Sequence, residues 1–204
     1  MTRYIPPPSL ALAAPFSASA PPRRPTLRVP ALEHWPEAIR SAERLRGTLV
    51  RCGPGLRPVA WPETPRVRLS ALAPWLTPKS GGPVVAVGAT AAWVWGAMRT
   101  PHTLLECSTI GRERRQFPPH SRVKLHHYSL DEHDIVWFGR GGVTTPARTL
   151  CDVLRSSEEL SRVERVACRL LLLRLPAGRA GACQHLAEGA RRRRQVARRR
   201  LAEL

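Results

Sequence analysis

The sequence predicts an α+β fold in four parts: a Pro-rich leader (residues 1–32), a small helix-and-hairpin unit (33–80), an α/β domain (81–176) and a basic helical tail (177–204). Three observations predict it. A short amphipathic helix runs straight into a Gly-Pro-Gly turn between apolar-rich arms. The hydrophobic period then shortens from helical to alternating between Thr103 and Phe138. Finally, Thr145-Pro146 opens a new helical pattern, and helix-permissive sequence follows it.

The leader lacks periodicity, and its prolines disfavour a packed structure, so it is expected to be disordered. Leu10–Ala14 and Ala18-Ser-Ala20 have some features of a secretion signal, but Arg3 makes a poor charged n-region. Pro6, Pro7, Pro8 and Pro15 also interrupt the helix such a signal needs. From Pro36 to Arg46 the spacing of Ala38, Ile39, Ala42 and Leu45 predicts a helix with one apolar stripe, ended by Gly47. Thr48–Arg51 and Leu56–Ala60 flank Gly53-Pro54-Gly55 and predict a hairpin. Helix followed by basic hairpin is the order of a recognition helix and wing, which would aim Arg51 and Arg57 at phosphate. An ordinary helix and hairpin packed on the main domain has the same pattern. The leader stands where a winged helix has its supporting helices, so the expectation is a small winged-helix-like unit, degenerate or incomplete.

RVRLSALAPWL predicts a second short helix from about Ser70, and Lys79–Pro83 a turn. Val84–Val87 suits a buried strand or the lead into a helix over Ala89–Met98, where small residues allow close approach and Trp93 and Trp95 supply core bulk. Strands are predicted at Leu104–Ser108, Arg122–Tyr128 and Ile135–Phe138, the second alternating Val123, Leu125 and His127 against Lys124, His126 and Tyr128. Gly139–Gly142 is expected to turn the chain into the helix capped by Thr145, with Ala147, Leu150, Cys151 and Leu154 inward. A further helix from Glu158 to Leu173 should bury Leu160, Val163, Ala167, Leu170 and Leu171.

The formal charge of +18 is carried mostly by the two ends: residues 1–80 hold 12 basic and 4 acidic groups, 81–155 hold 9 and 6, and 156–204 hold 12 and 5. Such a surface concentrates polyanions and binds them through counterion release, which makes nucleic acid the leading partner class. A GC-rich genome would also yield this arginine excess, since only Lys79 and Lys124 are lysine. Residues 191–200 carry seven arginines (Arg191, Arg192, Arg193, Arg194, Arg198, Arg199, Arg200), suited to phosphate, to an acidic protein face or to a solvated linker.

Five widely spaced cysteines form no Cys-x-x-Cys pair and suit a reducing cytoplasm. No run approaches the roughly 20 apolar residues of a membrane span. His120, His126, His127, Asp131, Glu132, His133 and Asp134 are dense, yet His126 and His127 point to opposite sides of a strand. The cluster is therefore expected to be a polar surface. No hydrolase elbow, Walker loop or zinc-helix motif occurs, so neither catalysis, a metal nor a cofactor is expected.

The segments GATAAWVWGAM and GVTTPARTLCDVL, in this order after a short helix and basic hairpin, resemble the AbiEi family of type IV toxin-antitoxin antitoxins in its actinobacterial form. The resemblance is best over residues 81–160 and weaker over 36–61. It implies an amino-terminal winged-helix DNA-binding domain and an antitoxin domain. Such proteins bind their own promoter and counteract a nucleotidyltransferase-like toxin without a stable complex. Carried onto this chain, DNA contacts fall on Arg40, Arg44, Arg46, Arg51 and Arg57. Thr145, Pro146, Arg148, Thr149 and Asp152 belong to the antitoxin-domain motif, where helix capping and a buried polar network are the expected roles. Some relatives continue into an endonuclease-like domain, whose carboxylates are not expected here, so the arginine run is also explained as a linker stub. The alternative is an orphan or truncated accessory protein that binds a protein partner or RNA without catalysis.

Overall fold

The structure, a computed structural model, describes residues 32–76, 84–110, 117, 122–139, 141–156, 159–189 and 193–204. All of the predicted leader except Leu32, and the turn at 79–83, lie outside the described residues. The fold is mixed α+β, with two sheets and seven α-helices among the described residues.

The β-branched run at 84 becomes β3 (Val84–Ala86), the middle strand of a five-stranded sheet and buried along its whole length. It lacks polar alternation because both of its faces are covered. Beside it lie β4 (Leu105–Thr109), antiparallel, and β7 (Gly141–Thr144), parallel; β5 (Val123–His126) and β6 (Ile135–Phe138) complete the sheet at its edges. The expected turn at 139–142 is thus partly strand. Gly142 lacks the β-carbon that would press within 3.1 Å of Val85 and 3.0 Å of Trp137, so two strands and an indole close over it.

Every residue of α3 (Gly88–Val94) is buried, with Trp93 1% exposed. The helix stops four residues before the expected Met98. Gly96 adopts a φ of 78°, and the N–H groups of Gly96 and Ala97 close back on the carbonyls of Trp93 and Ala92 in a Schellman motif. Trp95 sits half-buried at the edge, its indole N–H donating to Thr144 O at 2.7 Å.

α4 (Pro146–Leu154) buries Leu150, Cys151 and Leu154 completely, while Ala147 stays partly open. α5 begins at Arg162 and runs to Leu172, because Ser161 and Glu164 form a reciprocal capping box. It buries Ala167, Cys168 and Leu171 against α4. Val163 and Leu170, expected inward, are 58% and 40% exposed, since the helix is rotated to put Cys168 in the seam. The predicted tail forms α6 (Gly178–Glu188) and α7 (Arg194–Ala202). Their Ala182, Leu186, Ala197 and Leu201 are fully or nearly fully buried in the same core as α3 and α4.

In the first unit α1 (Glu37–Leu45) ends on Gly47 with another Schellman motif, as Gly47 and Thr48 return to Arg44 and Glu43. None of its residues is buried. Ile39 and Leu45 are 48% and 86% exposed, because only the hairpin's first strand packs against the helix to any extent among the described residues. β1 (Leu49–Cys52) and β2 (Gly55–Pro58) form the hairpin. α2 spans Pro65–Leu76, starting five residues earlier than expected because Thr64 caps it, accepting from Val67 N at 3.3 Å. α2 joins the hairpin to the larger sheet: Leu69, Leu72 and Leu76 enter the main core, and Arg68 donates to Trp93 O at 2.6 Å.

Candidate nucleic-acid interface

α1 carries Arg40 and Arg44 one turn apart, and the hairpin brings Arg51 across from them. Between α1, the hairpin and α2 lies a groove of about 440 Å³ lined by Arg40, Arg44, Arg51, Arg57 and Trp75. Arg40 pairs with Glu37 at 2.5 Å. Arg44 and Arg51 are exposed and have no carboxylate partner among the described residues. Arg46 lies outside the groove and pairs with Glu43 at 2.7 Å. The Thr48 hydroxyl and Arg46 together hold the Glu43 carboxyl below its ordinary value.

Arg57 departs from expectation. The register pairs Arg51 with Leu56 and Val50 with Arg57, so Arg51 and Arg57 leave opposite faces of the hairpin. The Arg57 guanidinium folds back to donate to the carbonyls of Pro58, Val59 and Trp61 at 3.1, 3.2 and 2.6 Å, with Glu63 at 3.4 Å. It fastens the exit from the hairpin and does not project with Arg51.

A second groove of about 610 Å³ shares Arg51, Pro54 and Trp75 with the first and adds His102, Leu105 and Arg122. Sequence reasoning missed Trp75, His102 and Arg122, which come from three distant segments. No local pattern marks them, and only the packing of α2 against the hairpin brings them to Arg51.

The residues of the TTPARTLCD motif form one network. The Thr145 hydroxyl accepts from Arg148 N at 3.3 Å and caps α4, with Pro146 at the first helical position. The Thr149 hydroxyl donates to Thr144 O at 3.0 Å. The Arg148 guanidinium binds Asp152 at 3.0 and 3.1 Å, Asp134 at 2.5 Å and Ser129 O at 3.1 Å, and it lies over the Tyr128 ring. Two buried carboxylates thus share one partly buried cation. Burial, helped by the neighbouring Asp134 charge, pushes the Asp152 carboxyl up to about 6 against the pull of Arg148.

Of the arginine run, Arg191 and Arg192 lie outside the described residues. Arg194 donates to Gly189 O at 2.6 Å, and Arg200 to Leu154 O and Ser156 O at 2.9 and 3.1 Å, closing the end of α4. Arg193 is partly covered, Arg198 is exposed, and Arg199 lies 3.6 Å from Glu203.

The histidine-rich stretch does not converge. His120 lies outside the described residues, His126 sits 3.3 Å from Glu106, and His127 is exposed. Asp131 caps a 3-10 turn whose Asp134 turns towards Arg148. Burial raises the Glu106 carboxyl, but hydrogen bonds from His126 and Ala89 N outweigh it and hold it low, as a cap on α3. Among the described residues no group of three or more His, Cys, Asp or Glu is placed to hold a metal ion, and no helix is long and apolar enough to cross a membrane. Comparisons with models of protein families, with curated proteins and with solved structures gave no match.

Proposed function

We propose that this chain is a DNA-binding, antitoxin-like transcriptional regulator of the AbiEi type, cytoplasmic and without catalysis or cofactor. It binds its own promoter and counteracts a nucleotidyltransferase-like toxin without a stable complex. One observation carries the reading: Arg40, Arg44 and Arg51, from a helix and the hairpin after it, converge on one groove of a +18 chain. The order of α1 and hairpin is that of a recognition helix and wing, and Arg44 and Arg51 supply phosphate contacts that fix position and affinity. Arg57 acts as a brace for the wing.

A second reading is favoured by the continuation of the groove past Trp75 to His102 and Arg122. An aromatic ring between cations suits single-stranded RNA, whose bases can stack. The deciding experiment measures binding to a duplex of the chain's own upstream region and to a scrambled duplex at about 0.15 M salt. The regulator reading expects a preference of roughly a thousandfold, lost in the double variant Arg44→Ala, Arg51→Ala. Equal binding to both duplexes overturns it. Tighter binding of single-stranded RNA than of either duplex, lost in Trp75→Ala, puts the accessory reading in its place.

A further inference from the structure

Val163, Val166, Leu170 and Leu173 are spaced three, four and three residues apart along α5 and its C-terminal cap, the spacing of a helix-pairing seam. They are 58%, 46%, 40% and 82% exposed, so a second face of α5, flanking the one that enters the core, is also apolar. Val163, Val166 and Leu170 of this stripe line a groove of about 490 Å³ together with the segment Gly96–Arg99. Arg174 Nη2 and Arg68 Nη1 lie 3.5 and 3.7 Å from where a β-carbon on Gly96 would stand.

The rim is cationic. Arg68, Arg99 and Arg162 line the groove and Arg174 lies beside its Gly96; Arg68 pairs with Glu63, while Arg99, Arg162 and Arg174 have no carboxylate partner among the described residues. Glu164, the single acid of α5, is engaged with Ser161. A second copy would align its own apolar stripe but would set Arg162, Arg165, Arg169 and Arg174 against their equivalents, and like charges across an interface repel. The charge that complements the rim is negative.

We infer that this face of α5 docks an amphipathic helix of another protein, apolar along one stripe and flanked by Asp or Glu. The inference stands apart from the nucleic-acid groove, with which it shares no lining residue.

The test uses the full chain and a fluorescent synthetic helix of about four turns, with Leu at the seam positions and Glu beside them. Two control peptides replace Leu by Ser, keeping the charge, or Glu by Lys, keeping the seam. Anisotropy at about 0.15 M salt should show the Leu/Glu peptide bound at least tenfold more tightly than either control, with a tenfold loss in the double variant Val166→Ser, Leu170→Ser. The variant keeps the protein's charge, and circular dichroism checks its fold; Val163→Ser with Leu173→Ser replaces it if it does not fold. Equal binding of the Ser/Glu peptide, or unchanged binding by the folded variant, overturns the inference. So does sedimentation of the wild type as a dimer that the variant converts to a monomer, which would assign the face to a second copy.

Discussion

A guanidinium that reaches several carbonyls at once is an internal brace, whatever its formal charge suggests. Arg57 is the clearest case. Arg57→Ala strips a donor from three backbone carbonyls and should cost about 1–3 kcal/mol, whereas exposed Arg44→Ala should change stability by less than about 0.5 kcal/mol. Urea midpoints of the two variants make the comparison. Arg148 braces more deeply, and Arg148→Met, which leaves Asp134 and Asp152 buried without their cation, should cost about 3–5 kcal/mol. The same network sets a pH dependence. The folded Asp152 carboxyl titrates at about 6, above its ordinary 3.8, so the folded chain holds the extra proton between these values. Stability from this group is therefore greatest below about pH 4 and is lost as pH rises through 6, by on the order of 2–3 kcal/mol. Asp152→Asn should abolish that fall, seen as a wild-type urea midpoint that drops more steeply from pH 4 to 7 than the variant's.

Helix starts show how far local chemistry can be read from this sequence. Thr145-Pro146 announced α4 because hydroxyl and proline stand alone before a helical pattern. Thr64-Pro65 carries the same signal for α2, yet the expected helix begins only near Ser70, and Ser161 with Glu164 marks a start for α5 three residues after the expected Glu158. Thr145→Ala and Thr64→Ala should each cost about 1 kcal/mol, measurable as shifted thermal midpoints. β7 was illegible because two glycines mimic a turn, and what they make room for, Leu69 of α2 at Gly141 and Val85 of β3 beside Trp137 at Gly142, comes in part from elements distant in sequence. The groove was half legible: Arg40 and Arg44 follow from helical spacing, but hairpin register, which separates Arg51 from Arg57, requires the pairing itself. Gly55 marks where this hairpin meets α2. A β-carbon there would stand 2.2 Å from Ala71 O, so Gly55→Ala should loosen the hairpin from the domain, observed as faster amide exchange in β1 and β2.

At the scale of the molecule, one core runs from α2 through the sheet to α7. The last helices belong to it. Leu201→Ala, at a site 2% exposed, should cost about 2–4 kcal/mol and lower the midpoint of a single calorimetric transition; a free tail would leave that midpoint unmoved. The continuity also fixes the hairpin relative to the sheet, through Arg68 on Trp93 O and the leucines of α2. The braces bear on how this composition would drift over generations. Arg57, Arg148 and Arg200 each satisfy several acceptors with one flat fork, which a lysine ammonium cannot span. In a lineage whose genome turned AT-rich, exposed arginines such as Arg44 and Arg198 would exchange for lysine freely. The braces would stay arginine, separating selection for architecture from the mutational tide of the genome.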